Sequence, residues 1–186
     1  MDKTAIEHIK KRLREGDTSC FTPLVNEFKD MVYAHALKIS RSPVDAEEIA
    51  QDVFVKAYKS FNSFRGDSKL STWLYQITYT TALNHLRKKK VETTEYTYVE
   101  AEADESVLAQ IQKEDKKRFI EEALTHLKPS ERAVIDLFYM QEQSIDEVVQ
   151  ITRLSKSNVK VLLHRSKKKL YGILGQLLKN ELNSLV

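Results

Sequence analysis

Residues 64–90 combine side chains that together suit contact with nucleic acid. They read FRGDSKLSTWLYQITYTTALNHLRKKK, with aromatic rings among six Ser/Thr hydroxyls and four basic residues at the end. After Asp67 there is no acidic residue until Glu92. Aromatic rings can stack on unpaired bases, hydroxyls can hydrogen-bond base edges, and cations hold the phosphates. The segment therefore favours binding of a single strand.

Packing is the alternative explanation for part of this segment. Trp73 and Ile77 fit a helix core better than a surface, and Leu74 and Tyr79 fit it too. The loop 65–70 and the polar positions that follow are less easily explained by packing. The candidate contacts to a single strand are Arg65, Lys69, Ser71, Thr72, Trp73, Gln76, Thr80, Asn84 and Arg87.

A second candidate surface lies in residues 148–180, which hold eight Lys/Arg and no Asp or Glu. A short helix, a tight turn and a longer basic helix are typical of a helix-turn-helix, whose second helix enters the major groove of DNA. A merely solvated helix face would normally mix both signs of charge. The candidate contacts to duplex DNA are Ser155, Lys156, Ser157, Asn158, Lys160, His164, Arg165 and Lys168.

A third candidate surface is acidic. Asp45 and Glu47 fit the ordinary enrichment of acids at a helix N-terminus. Glu48, Gln51 and Asp52 extend past the first turn, so a face that binds a partner explains them equally well.

These surfaces must be positioned by helices. Apolar spacings of three and four residues, with capping and turn signals, predict eight of them. They are expected at about residues 4–14, 20–40, 45–61, 71–89, 114–126, from Pro129 onward, 144–152 and 157–179. Ser144 and Glu147 have the spacing of a capping box.

The segment between the two groups of helices has a different composition. Residues 91–112 hold six acids and no Lys or Arg, which is typical of a linker. The sequence thus predicts an all-α protein with two small helical domains, residues 1–90 and 113–186, joined by an acidic linker, residues 91–112.

Composition sets the broad class. The chain has 186 residues, a net charge of +3 and a single cysteine, Cys20, expected as a small core residue. No apolar run reaches the ~18 residues that a membrane span needs, and the N-terminus lacks a signal-peptide core. We expect a cytoplasmic protein.

An enzyme acting on nucleic acid is disfavoured. The five histidines are scattered, without metal-ligand spacing. No phosphate-binding glycine loop or nucleophile–base set can be argued from the order of residues. We therefore expect no catalytic residue, no metal and no cofactor.

Four stretches resemble the extracytoplasmic-function (ECF) sigma factors of bacterial RNA polymerase. Residues 45–58, DAEEIAQDVFVKAY, resemble the core-polymerase-binding helix of sigma region 2. Residues 64–74, FRGDSKLSTWL, resemble the reader of the promoter −10 element. Residues 127–134, LKPSERAV, and the segment 144–170 resemble region 4, which reads the −35 element.

The resemblance implies a transcription initiation factor. Glu48, Gln51, Asp52 and Phe54 would dock on the β′ coiled coil of the polymerase. Residues 64–90 would hold the melted −10 strand, and region 4 would read −35 DNA and touch the β flap. The resemblance also implies a membrane-associated anti-sigma partner and a monomeric factor.

One departure concerns the turn of the helix-turn-helix. Arg153 stands where the family usually has a glycine, which often needs a positive φ. We therefore expect a different turn at this position.

The competing function is a two-domain helix-turn-helix regulator that does not act through the polymerase. The segment 144–170 suits both functions. A regulator needs neither a β′-docking face nor a pocket for a single strand, so residues 45–61 and 64–90 favour the sigma factor.

Overall fold

The computed structural model describes residues 3–89 and 113–184, and every regular element in these two ranges is helical. The chain divides into two compact units, Met1–Val91 with Val149–Arg153, and Glu92–Val148 with Leu154–Val186. The helices are α1 (Lys3–Arg14), α2 (Thr22–Ser40), α3 (Pro43–Ser60), α4 (Leu70–Lys89), α5 (Lys113–Thr125), α6 (Pro129–Ile135), α7 (Ile145–Thr152) and α8 (Lys156–Ser184). The all-α prediction is confirmed, while the acidic linker at 91–112 lies outside the described residues.

The core of the first unit lies where α2, α3 and α4 pack against one another. On α3 the apolar stripe of Ile49, Val53 and Ala57, spaced four residues apart, is completely buried, and Phe61 directly after the helix is buried as well. Burying one large apolar side chain stabilises a fold by about 1.5–3 kcal/mol. This stripe therefore fixes which face of α3 points outward.

The break between α2 and α3 is set by local backbone chemistry. Arg41 adopts a left-handed conformation, with φ of 63°, and its N–H donates to the carbonyl of Leu37 at 2.7 Å. Ser42 then caps α3, because its hydroxyl accepts from the N–H of Asp45 at 3.2 Å. Pro43 occupies the first turn, where a missing N–H costs nothing. As a result, α3 begins two residues before the predicted start at Asp45.

In the second unit α5 and α6 pack against α8. The predicted capping box at the start of α7 is confirmed: Ser144 Oγ accepts from the N–H of Glu147 at 3.2 Å, and the Glu147 carboxylate accepts from the N–H of Ser144 at 2.9 Å. Asp136–Met140 form a π-helical segment directly after α6. The last helix, α8, runs to Ser184 and is longer than the sequence predicted.

The expectation of a different turn between α7 and α8 was wrong. Arg153 has a φ of 61°, which is the left-handed conformation that glycine adopts without cost. Its N–H donates to the carbonyl of Val149 at 2.9 Å, which closes the end of α7. The turn therefore has the positive φ that a glycine would adopt, although the residue at this position is Arg153.

Cys20 is a core residue, as predicted, with 4% of its surface exposed. Its thiol donates to the carbonyl of Asp17 at 2.9 Å. Burial, with a further contribution from the Asp17 carboxylate, raises the pKa of this thiol. In the described ranges, none of the helices combines the length and the apolar character that crossing a membrane requires.

Candidate polymerase and nucleic-acid interfaces

The outward face of α3 carries the predicted acidic surface. Glu48, Gln51 and Asp52 are exposed because Ile49 and Val53 turn inward. One turn further, Val55 is 50% exposed. Carboxylates beside exposed apolar side chains suit contact with another protein, where an apolar centre is bordered by a polar rim.

An apolar groove borders this acidic face. Phe54 is half-buried and lines the groove together with Phe21, Val25, Val55 and Tyr58. Phe54 was predicted from the sequence as a partner contact, whereas Val55 and Tyr58 were not. Their position in the sequence could have identified them. Both lie on α3, seven and ten residues after Glu48, where a purely solvated face would carry polar residues.

Asp45 is more than an ordinary first-turn acid. It is 7% exposed, and both of its carboxylate oxygens accept from Lys89 Nζ at 2.9 Å. His85 Nε2 lies 3.4 Å from Asp45 Oδ1. The hydrogen bond from Lys89, supported by His85, holds the pKa of Asp45 below its usual value. This pairing between α3 and α4 was not predicted, because sequence spacing does not reveal which residues of two helices meet.

The loop before α4 presents two of the predicted strand contacts. Arg65 and Lys69 are exposed, and Gly66 between them has a φ of 77°, which favours glycine. Trp73 is half-buried, with its ring 5.1 Å from Phe64 and 6.0 Å from Phe61. Its predicted partial place in the core is confirmed, and the same rings anchor the base of the loop.

The hydroxyls of α4 are less available than the sequence suggested. Thr72, Thr78 and Thr81 are 2%, 0% and 3% exposed. Thr78 Oγ1 donates to the carbonyl of Leu74 at 2.8 Å, a bond that lets a threonine sit inside a helical bundle. Thr72 is therefore removed from the candidate strand contacts, because its side chain is closed off from solvent.

The remaining candidates on α4 form one stripe. Gln76, Thr80, Asn84 and Arg87 recur at spacings of four and three, which places them on one side of the helix. Thr80, Asn84 and Arg87 are exposed, while Gln76 and Ser71 are half-buried.

The first turns of α8 present the predicted duplex contacts. All eight candidates are exposed: Ser155, Lys156, Ser157, Asn158, Lys160, His164, Arg165 and Lys168. Ser155 also caps the helix, since its Oγ accepts from the N–H of Asn158 at 3.2 Å. Val159 and Leu163 are buried and orient the basic face outward.

Two lysines near α8 have partners within the unit. Lys169 Nζ lies 3.0 Å from Glu131, with both side chains 17% exposed. Lys156 Nζ lies 2.8 Å from Asp146, but both of these side chains are more than half exposed, so water and a phosphate can compete for that lysine. Across the two described ranges, His, Cys, Asp and Glu form no group of three that could hold a metal ion.

Comparison with known families agrees with this arrangement. Residues 24–92 match the model of sigma-70 region 2, which spans α2 to α4. Residues 119–170 match the model of sigma-70 region 4, which includes the helix-turn-helix.

Two curated relatives come from Bacillus subtilis. The chain is 29% identical to the ECF RNA polymerase sigma factor SigW over 87% of its own length and 94% of that protein. It is 35% identical to the RNA polymerase sigma factor YlaC over 66% of its own length and 73% of that protein.

Two solved structures share the fold. The chain matches CnrH, solved in complex with the cytosolic domain of CnrY, at 21% identity and a TM-score of 0.61, over 92% of this chain and 98% of that one. It matches RpoE of Bartonella quintana, solved with the anti-sigma factor NepR, at 21% identity and a TM-score of 0.63, over 83% and 96%.

The regulator alternative is not favoured, because the region 2 match covers the helices that a regulator would not need. The chain belongs to the ECF group of the sigma-70 family and is a transcription initiation factor that directs RNA polymerase to promoters.

Proposed function

We propose that α3 is the main contact with core RNA polymerase. The exposed Glu48, Gln51 and Asp52 would face basic side chains of the β′ coiled coil, and Phe54 would pack against its apolar part. The observation that carries this proposal is the acidic face of α3 directly beside an apolar groove. Neither surface is explained by packing within the first unit.

The loop before α4 and the outward stripe of that helix would hold the melted −10 strand. Arg65, Lys69 and Arg87 supply positive charge for the phosphates. The base next to the loop would stack near Trp73, whose ring is already fixed by Phe61 and Phe64. Ser71, Gln76, Thr80 and Asn84 would contribute polar contacts to base edges.

The first turns of α8 would read the −35 element. Asn158 and Lys160 are placed to reach base edges in the major groove, where Asn pairs with adenine and Lys with guanine acceptors. Arg165 and Lys168 lie further along the helix and would hold phosphates. The exposed apolar residues Tyr139 and Met140, which are 47% and 50% exposed, suit contact with the β flap.

The proposed domain boundaries separate polymerase and −10 binding from −35 binding. We propose residues 1–90 as the domain for polymerase and −10 binding, and residues 113–186 as the −35 domain. Residues 91–112 would join them through the polymerase cleft, where six acids resemble the charge of a nucleic-acid backbone. The factor acts with cytoplasmic polymerase and performs no catalysis of its own.

An anti-sigma protein is the proposed regulator. RpoE of Bartonella quintana was solved with an anti-sigma factor, and CnrH with the cytosolic domain of CnrY. For this chain, such a partner would cover the apolar groove on α3 and keep polymerase away. A membrane-anchored partner would couple the factor to signals from the cell envelope.

Core-polymerase binding gives the direct test. Purified protein would be mixed with bacterial core RNA polymerase and followed by size-exclusion chromatography. We expect the wild type to co-elute, and a Glu48→Lys/Asp52→Lys variant to run separately because its charge opposes a basic partner.

A matched control separates a local effect from a change in net charge. Glu15→Lys/Asp30→Lys alters the charge equally at two other exposed positions and should co-elute like the wild type. If the wild type fails to co-elute and binds duplex DNA tightly by itself, the polymerase interface proposed for α3 is wrong.

A further inference from the structure

One polar cluster of the first unit has no role in the contacts proposed above. Asp45, near the start of α3, meets Lys89 and His85, near the end of α4. Asp45 is nearly buried, with its side chain 10% exposed, whereas Lys89 is 58% exposed. A carboxylate is removed from water at such a site only when its lost hydrogen bonds are replaced, and the ammonium replaces them on both oxygens.

Asp45 lies where an acid could cap the N-terminus of its own helix, but its carboxylate makes a different contact. Ser42 and Asp45 have the spacing of a capping box, in which the acid would accept from the N–H of Ser42. Here that N–H donates to Ser40 Oγ at 3.4 Å. The Asp45 carboxylate instead reaches across to α4, which makes it a tertiary contact.

The cluster continues into the proposed polymerase surface. His85 Nδ1 lies 3.7 Å from Glu48 Oε1, while its Nε2 faces Asp45. One imidazole thus lies between the buried acid and an exposed one. Asp45, Glu48 and Asp52 are three and four residues apart, so they share one side of α3, and all three line a single groove with α4.

A further link holds the same edge. Lys56 Nζ donates to Thr81 Oγ1 at 3.1 Å. As the position on α3 advances from 45 through 48 to 56, the partner on α4 moves back from 89 through 85 to 81. This regular antiparallel order fixes how far α3 can slide along α4. Apolar packing alone would define that position less strictly.

We propose that Asp45, His85 and Lys89 form a polar clasp that holds α3 in register with α4 and thereby positions Glu48 for RNA polymerase. Within this clasp Lys89 is a positioning residue. Its neighbours Arg87 and Lys88 remain exposed for nucleic acid, whereas the ammonium of Lys89 is committed to Asp45. The inference rests on the proposed polymerase interface.

The test compares two exposed lysines of the first unit that carry the same charge. Lys89→Met and Lys11→Met each remove one positive charge, but Lys11 lies on α1 and does not line the groove of Asp45, Glu48 and Asp52. We expect Lys89→Met to bind core polymerase about fivefold more weakly than the wild type, and Lys11→Met to bind it like the wild type. Lys89→Arg should restore binding, because a guanidinium can also serve both oxygens of Asp45.

A double-mutant cycle asks whether the clasp acts through Glu48. If it does, Lys89→Met should cost much less affinity in a Glu48→Gln background than in the wild type. A general loss of stability would lower both affinities by the same factor, and this additive result would overturn the proposal. Hydrogen exchange of the free protein should also show faster exchange in the first turns of α3 in Lys89→Met.

Different outcomes would overturn the proposed interface and the proposed clasp. If the wild type does not bind core polymerase, the proposed interface is wrong. If the wild type binds and Lys89→Met binds as tightly as Lys11→Met, the interface stands and the clasp is wrong.

Discussion

At the scale of single residues, the left-handed Arg153 shows how a turn can be kept without its usual residue. A side chain in this conformation brings Cβ close to the backbone and costs about 1–2 kcal/mol. The hydrogen bond from its N–H to Val149 is made all the same. The hydrogen bond that closes the turn therefore offsets part of the backbone strain at Arg153.

Replacing Arg153 with glycine should make the fold more stable. Relief of the left-handed strain is partly offset by the greater freedom of glycine in the unfolded chain, so the expected net gain is about 0.5–1 kcal/mol. Urea unfolding followed by circular dichroism measures it. Arg153→Ala removes the same side chain but keeps the strain, and should show no gain. A glycine variant less stable than the alanine variant would contradict the explanation.

Asp45 gives a prediction on pH. The folded state lowers the pKa of the Asp45 carboxyl from its usual value of 3.8. Its charge therefore stabilises the fold at pH values above 3.8, and this stabilisation is lost as the pH falls through the lowered pKa of the folded state. The titratable groups that line the same groove are Glu48, Asp52 and Lys56 on α3 and His85, Lys88 and Lys89 on α4.

Asp45→Asn should therefore destabilise the protein at neutral pH by about 2 kcal/mol, the scale of a hydrogen bond to a charged group. The difference from the wild type should shrink below about pH 3.8. Denaturant unfolding of both proteins across this range checks the sign. A difference that stays constant with pH would show that the Asp45 charge is not the cause.

At the scale of elements, α4 shows what periodicity predicts and what it leaves open. The residues where α4 begins and ends were predictable from its apolar spacing and from the loop before it. The partial burial of Trp73 was predictable from the same apolar spacing. The burial of Thr72, Thr78 and Thr81 was not, because a threonine can satisfy its hydroxyl on its own helix. Polarity alone therefore does not tell which side of a helix a hydroxyl faces.

The same contrast holds for α3 and α8. The stripe of Ile49 and Val53 and the exposed acids opposite it follow from the sequence, as does the capping box of α7. The pairing of Asp45 with Lys89 joins residues 44 positions apart, and the positive φ of Arg153 arises where no glycine signals it. Tertiary contacts and strained turns are the parts that local patterns do not contain.

The basic face of α8 gives a prediction on salt dependence. Lys168→Ala, which removes a proposed phosphate contact, should weaken binding of the holoenzyme to a −35 duplex and lower the slope of log affinity against log salt by about one. Lys179→Ala removes the same charge about 16 Å further along the helix. It should leave both values unchanged, and equal effects of the two variants would contradict a phosphate contact that ends before the last turns of α8. Filter binding at several salt concentrations measures the slopes.

At the scale of the whole molecule, each of the two compact units has buried apolar residues of its own. The first has α2, α3 and α4 around Ile49 and Val53, and the second has α5, α6 and α8 around residues such as Val134 and Leu137. A core of this kind can support folding of each part by itself.

A fragment of residues 1–91 should therefore remain helical and compete with the full chain for core polymerase, because the proposed contact surface lies entirely within it. Circular dichroism and a competition assay with labelled full-length protein check both statements. The Glu48→Lys/Asp52→Lys version of the fragment should fold but fail to compete. An unfolded fragment would contradict the proposed boundary.

The aromatic cluster at the base of the loop before α4 has an optical consequence. Trp73 is the single tryptophan of the 186 residues, so all indole fluorescence of this factor originates beside Phe61 and Phe64. Emission from the protein alone thus reports the surroundings of one ring, with no label attached. Quenching of this signal when a −10 oligonucleotide is added would record strand capture in real time, without any indole contribution from the second unit.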